Sequence, residues 1–235
     1  MNKVKDYYQI KAPIIHGQFC KETKNRFLAT VRIDGRETEC YVPSSARLEN
    51  FVALKNCRVL LIPTQNLAAR TPYSILAVKH NRHNILLNTT MANKAMTKYY
   101  QFHKEHKCET DRNIMAEKTI EGYKADIYVE SPSSKKIIEI KSVLSFHSIG
   151  IFPTVHSERA NKQLLALKNL LDSYIVEYCI VAINPYIKAI HINSEQEEYH
   201  ALFMQCIEKG MVCQGYSCAL IGNKVRIVDK VPIYF

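Results

Sequence analysis

The segment Lys124–Ser142, KADIYVESPSSKKIIEIKS, constrains the fold more than any other, because two alternating runs flank a Ser-Pro-Ser-Ser turn. Ala125, Ile127 and Val129 share one face of the first run, and Ile138 and Ile140 one face of the second. A hairpin closed by Glu130 and Lys135 sets Ile127 opposite Ile138 and Ala125 opposite Ile140, an apolar seam. The same register sets Asp126 opposite Glu139, with Cβ atoms about 4.5–5.5 Å apart. Lys141, two residues on, shares the face of Glu139. Like charges across a strand pair repel, so the arrangement makes physical sense with a cation between them. Two hard carboxylates suit Mg²⁺ or Mn²⁺, which keeps waters and takes phosphate oxygens as further ligands. Such an ion can orient a water and stabilise charge on a phosphodiester, and Lys141 could hold that water or neutralise developing charge. A slip of one residue would put the two carboxylates on opposite faces and remove the site.

Spacing alone does not mark a site, since Glu22-Thr23-Lys24 and Glu105-His106-Lys107 repeat the Glu-x-Lys pattern. The strand context distinguishes the third instance; an exposed, solvated polar face is the alternative. Charge points the same way as the hairpin. Lys and Arg total 32 against 22 Asp and Glu, a formal +10, which is the footprint of a nucleic-acid binder or of a generically basic soluble protein. There is no P-loop, no Gly-x-Gly-x-x-Gly, no Gly-x-Ser-x-Gly and no His-Glu-x-x-His, and only 7 glycines in all, which disfavours nucleotide-cradling folds and ester or peptide hydrolysis. His147 and His156 read equally as surface residues or proton carriers. No apolar run reaches the roughly 18 residues that span a bilayer, and the MNKVKDYYQIK start lacks the apolar core of a signal peptide, so a cytoplasmic protein without membrane contact is expected. In that compartment Cys20, Cys40, Cys57, Cys108, Cys179, Cys206, Cys213 and Cys218, which form no Cys-x-x-Cys pair, read as free thiols or small buried hydrophobes.

Two parts are expected. Residues 1–84 read as short strands, among them the hairpin FLATVRIDGRETECYV with its Asp34-Gly35 turn, and suit a small OB-like β-barrel of the kind that binds nucleic acid. Residues 85–235 begin with a helix over 88–106. Strands at 113–120, 123–130 and 136–143, a helix over 157–172, the strand YIVEYCIVAI, the strand YIKAIHI and a helix over 195–209 follow. Helix, three strands, helix, strand is the order of a restriction-endonuclease-like mixed sheet flanked by helices, so the fold class is α+β or α/β.

The chain also resembles the sugar fermentation stimulation protein family. The matching segments are Asn25–Ala29, Tyr41–Ser45, Arg70–Tyr73, Asn88-Thr89 with Ala92-Asn93, Lys124–Asp126, Glu139–Val143 and Gly150–Leu164. The resemblance implies an OB-like domain joined to a PD-(D/E)-x-K nuclease-like domain, DNA binding, and by fold nuclease activity. It places the catalytic acid on Asp126 and the Glu-x-Lys on Glu139 and Lys141. An acid nine residues before Asp126 falls on Glu117, read as a third metal ligand or a solvent-facing strand residue. Lys124 stands where the family has arginine, and either cation could contact the scissile phosphate of a nucleic acid or shield the carboxylate pair. GIFPTVHSERANKQLLAL matches the family's run into a helix, with Thr154 in place of an aspartate and Ala160 in place of a glycine. Ser157 is the expected N-cap. Arg159 and Lys162 are candidates for phosphate contact or for a solvated helix face, and Gln163 is a candidate accessory residue. In the barrel the family's Pro-Asn-Thr-Gly is replaced by Pro43-Ser44-Ser45-Ala46, which loses a glycine. Arg26, Arg32, Arg36 and Arg47 could form a basic groove there, with Tyr7, Tyr8, Phe27 or Tyr41 as stacking platforms; Phe27, inside a strand, reads first as core.

The reading is a nucleic-acid-binding protein, of DNA first, that hydrolyses phosphodiesters with Mg²⁺ or Mn²⁺ held by Asp126 and Glu139. The alternative is a regulator that keeps the nuclease fold and only binds. The sequence does not fix the oligomeric state, and a homodimer is compatible with it.

Overall fold

A computed structural model describes residues 5–44, 47–64, 68–106 and 112–235. Ser45, Ala46, Lys107 and Cys108 lie outside them, and with them part of the Pro43–Ala46 departure. The chain opens with β1 (Tyr7–Gln9), β2 (Ile15–Glu22), β3 (Leu28–Ile33), β4 (Arg36–Tyr41), β5 (Arg58–Pro63), β6 (Tyr73–His80) and β7 (His83–Leu86). α1 (Thr89–His106), β8 (Asn113–Ile120), β9 (Tyr123–Glu130), β10 (Lys135–Val143), β11 (Ile149–Phe152) and α2 (Glu158–Leu170) follow. The remainder is β12 (Ile175–Ala182), β13 (Ala189–Ile192), α3 (Glu197–Glu208), β14 (Val212–Ile221), β15 (Lys224–Val231) and β16 (Ile233–Tyr234).

Strands β2–β6 form an OB-type barrel. They follow the order β4-β3-β2-β5-β6, and the ring closes where β4 pairs parallel to β6 through Cys40–Tyr73 and Tyr41–Ser74. The β3–β4 turn places Asp34 and Gly35 at φ 47° and 82°, the two positive values that a tight hairpin of matching twist requires. Phe19, Val31, Val59, Leu61, Ile75 and Val78 fill the interior. β7 extends the barrel sheet along β6.

The second sheet has the order β1-β15-β14-β12-β10-β9-β8, with β10, β12 and β14 parallel and the outer strands antiparallel. Its central strand β12, IVEYCIVA, is buried along almost its whole length, as a strand covered on both faces must be. Ile137, Val176, Tyr178 and Ile180 face α2 and α3 and pack on Leu164, Leu167 and Phe203. Ile138, Ile140, Cys179 and Val181 face the other way, onto Met91, Ala95 and Met96 of α1 and onto Leu60, Leu76 and Leu86 of the barrel. The barrel and the sheet therefore share one core. No helix among the described residues is long and apolar enough to cross a membrane.

Two expectations are corrected here. The first strand does not belong with the barrel: β1 pairs antiparallel to β15, Tyr7 with Arg226 and Gln9 with Lys224, at the edge of the large sheet. Tyr7 and Tyr8 are thus removed from any barrel groove. Phe27 is not core; it sits in the turn before β3, 37% exposed, with the Arg26 guanidinium 4.8 Å from its ring centroid. The sequence reading also missed β1, β7, β11 and the strands that follow α3. β14 and β15 lack clean alternation because β14 is buried on both faces and β15 carries a register shift against it.

Candidate active site

The β9–β10 ladder runs from Lys135–Glu130 to Ile138–Ile127, the register that the alternation predicts, and the paired register ends there. Asp126 comes next. Its Oδ2 accepts the Ile140 backbone N–H at 2.8 Å and its Oδ1 accepts the Asn93 amide of α1 at 3.1 Å. The strand on the other side is interrupted at the same level: Glu117 takes φ 54° between the pairs Ala116–Ile127 and Lys118–Ala125. The alternation of β9 changes phase with it. Tyr123 and Ala125 enter the core beneath α2 and α3, whereas Ile127 and Val129 enter the core beneath α1. The expected seam of Ala125 with Ile140 is therefore replaced by a local break, and a carboxylate takes the amide that a regular ladder would have used.

Glu139, one residue past the last pair, is 3% exposed. Its Oε1 accepts the Lys141 ammonium at 2.6 Å and its Oε2 accepts the Tyr123 hydroxyl at 2.5 Å. Lys141 also donates to Gln163 Oε1 at 2.7 Å. Gln163 projects from α2, whose first turn is capped as the sequence predicts: Ser157 Oγ accepts the Ala160 N–H at 3.3 Å. Asp126, Glu139, Lys141 and Gln163, with Asn93 and Arg159, line one cleft of about 330 Å³ that is closed on the barrel side by Ser44 and Phe51. Arg159 and Gln163 also line an adjoining hollow of about 360 Å³ with Tyr123 and Lys162.

Burial, and then the charge of Glu139, holds the Asp126 carboxyl up at about 6, while the Ile140 N–H and Lys141 pull it down. Burial and Glu139 likewise keep the Tyr123 phenol well above its ordinary range, so it remains a donor. A raised carboxyl favours the folded state fully below the unfolded value near 3.8 and loses that contribution as pH rises through about 6. Urea titrations of the metal-free protein and Asp126→Asn between about pH 4 and 7 should therefore show wild-type stability declining relative to the variant with rising pH. A constant difference across that range would refute the assignment.

The other predicted residues are not drawn together. Glu117 and Lys124 meet each other at 2.7 Å on the surface, with side chains 72% and 63% exposed, and neither lines the cleft. Glu117 touches the site only through its charge, the smallest of the causes acting on Asp126. The four barrel arginines do not share a groove. Arg47 donates to the Thr23 and Lys24 carbonyls beside Arg26 at one end of β3, while Arg32, paired with Glu37, and Arg36 lie at the other end. Six residues of strand separate the ends by about 20 Å. Among the described residues no three His, Cys, Asp or Glu side chains cluster as a ready metal site, so the carboxylate pair stands without Glu117.

Sequence reasoning assigned no role to Tyr123 and Asn93. Strict alternation puts Tyr123 on the face away from Glu139, and only the phase change at Asp126 brings it round. Asn93 lies more than thirty positions upstream on a helix, so nothing local signals its contact with Asp126.

Comparison with known proteins gives matches along nearly the whole chain. Residues 86–224 match the family described as "Sugar fermentation stimulation protein RE domain", and residues 22–87 match "SfsA N-terminal OB domain". Two similar relatives are sugar fermentation stimulation protein homologs. That of Caldanaerobacter subterraneus subsp. tengcongensis is 27% identical, covering 95% of this chain and 98% of the relative. That of Desulfitobacterium hafniense is 26% identical over 94% and 96%. A solved structure described as Pyrococcus furiosus SfsA in complex with Ca²⁺ superposes with a TM-score of 0.85 at 16% identity, covering 100% of both chains, a likeness of fold.

Proposed function

This chain belongs to the sugar fermentation stimulation protein family, and from that premise we propose that it binds nucleic acid, DNA first, and hydrolyses its phosphodiester bonds with a divalent cation. The observation that carries the reading is the convergence of Asp126, Glu139 and Lys141 in one cleft, beside Arg159 and Gln163. A basic chain, formally +10, favours a polyanionic substrate.

The residues fit a hard cation. Asp126 and Glu139 present four carboxylate oxygens, each with a single protein donor among the described residues, so lone pairs remain for an ion. Burial, and then repulsion from Glu139, keeps the proton on Asp126, and a cation would relieve the repulsion. A solved protein of the same fold carries Ca²⁺, which shares with Mg²⁺ and Mn²⁺ a preference for oxygen ligands. Mg²⁺ or Mn²⁺, held by Asp126 and Glu139, would supply Lewis-acid stabilisation of phosphate charge and an acidified water. The chain's own groups do the rest. Tyr123 and Asn93 fix the two carboxylates, Gln163 aims the Lys141 ammonium, and that ammonium offers positive charge and a proton donor at the attacked phosphate. Arg159 and Lys162 would hold flanking phosphates from the first turns of α2.

The test is gel analysis of labelled single-stranded DNA, duplex DNA and RNA with Mg²⁺, Mn²⁺ or EDTA, comparing wild type with Asp126→Ala. Cleavage that needs metal and falls at least about 10²-fold in the variant, with binding kept or improved because a negative charge is lost, is the expected result. Shifted but uncut substrate under every metal would make the protein a binder only.

A further inference from the structure

The edge strand β1 carries Tyr7 and Tyr8 on opposite faces of the large sheet, and each ring is attended by cations. On one face Lys5 and Lys224 lie 5.5 and 4.8 Å from the Tyr7 ring centroid, and Arg226 is the direct partner of Tyr7 in the register. On the other, the Lys94 ammonium lies 4.9 Å from the Tyr8 centroid and 3.4 Å from its hydroxyl. Among the described residues Asp6, 3.4 Å from Arg226, is the one carboxylate paired with these cations. Lys5, Lys94, Lys224 and Arg226 are exposed.

Position connects this edge to the cleft. Asn93 of α1 donates to Asp126, and the next residue, Lys94, reaches Tyr8. One helix therefore touches the catalytic carboxylate and the basic edge from consecutive positions, whose Cα atoms are about 3.8 Å apart. Cations interleaved with aromatic side chains along a strand edge match a sugar-phosphate backbone, where ammonium groups take phosphates and ring faces take bases.

We propose that the β1–β15 edge, with Lys94 of α1, is a second contact surface for single-stranded nucleic acid, holding the strand beyond the segment that occupies the cleft. The proposal rests on the nucleic-acid reading above but not on cleavage. It is tested by fluorescence anisotropy of a labelled single strand of about 20 nucleotides, in EDTA, across a salt series. Lys94→Gln combined with Lys224→Gln should weaken binding about 10-fold at low salt and reduce the slope of log K against log salt by about 1.4, the loss of two single-strand phosphate contacts. Lys135→Gln with Lys188→Gln, the same charge change on exposed lysines elsewhere, should leave the slope near wild type. Equal losses in both pairs would reduce the effect to net charge and overturn the proposal, as would an unchanged slope in the first pair or a wild type that does not bind. Binding that follows the expected pattern in a protein that cuts nothing would sink the nuclease reading and leave this surface standing.

Discussion

Lys141→Ala is expected to lower metal-dependent cleavage by about 10²–10³-fold, the usual cost of removing one preorganised charge donor from a reacting centre. The ammonium is fixed at both ends, by Glu139 at 2.6 Å and by Gln163 at 2.7 Å, so its position is set before substrate arrives. Arginine should not restore the rate, because a planar fork cannot occupy the point between those two acceptors. The same substitution has a second readout. Glu139, almost fully buried, would lose the Lys141 counter-charge, the one it has among the described residues, while remaining beside Asp126. Removing one partner of a buried pair is strongly destabilising. Added Mg²⁺ or Ca²⁺ should then raise the melting temperature of the variant more than that of wild type, since the ion replaces the missing positive charge. Full activity in Lys141→Ala, or equal metal stabilisation of both proteins, would contradict the role given to this side chain.

The largest loss of stability is expected from Phe203→Ala. Phe203 is completely buried on α3, with ring centroids of Tyr178, Tyr199 and Phe235 at 5.5, 5.9 and 6.1 Å. Tyr178 and Tyr199 are further joined by a hydroxyl hydrogen bond of 2.9 Å, which limits how far they can close on a void. A cavity of phenyl size in such a place costs about 3–5 kcal/mol. Thermal or urea unfolding measures it directly, and a loss below about 1 kcal/mol would mean that the cluster relaxes. Because α3 lies on the face of the sheet that also receives α2, the variant should loosen Gln163 as well, and cleavage should fall at temperatures where the protein is still folded.

The parts of this fold that sequence could reveal are those governed by local period and turn chemistry. The Asp34-Gly35 hairpin, the β9–β10 pairing as far as Ile127–Ile138, the Ser157 cap and the α1-to-β10 order all rest on neighbours within a few residues, and all are present. What sequence could not reveal depends on distant partners. The phase change at Asp126 arises where Asn93 and Ile140 hold its carboxylate from two other elements, and it alone explains why Tyr123 reaches Glu139. The arginines of the barrel illustrate the opposite error. Their clustering in sequence suggested a groove, but neighbours on a hairpin point to its two ends, and carbonyls and Glu37 already occupy two of them. Charge counted along a chain says that a polyanion is welcome; which face receives it depends on strand order, and here the strand order carried Tyr7 and Tyr8 to the other sheet.

That crossing has a consequence for how the chain matures. Tyr7 is made before the barrel and pairs with Arg226, so more than two hundred residues separate synthesis of the two halves of one ladder. At about 5–20 residues per second, the barrel can close on the ribosome while β1 waits without its neighbour for tens of seconds or less. The large sheet completes its edge only after β15 has emerged. Closure of that edge therefore waits for synthesis of β15, and until then the segment before the barrel has no partner in the large sheet.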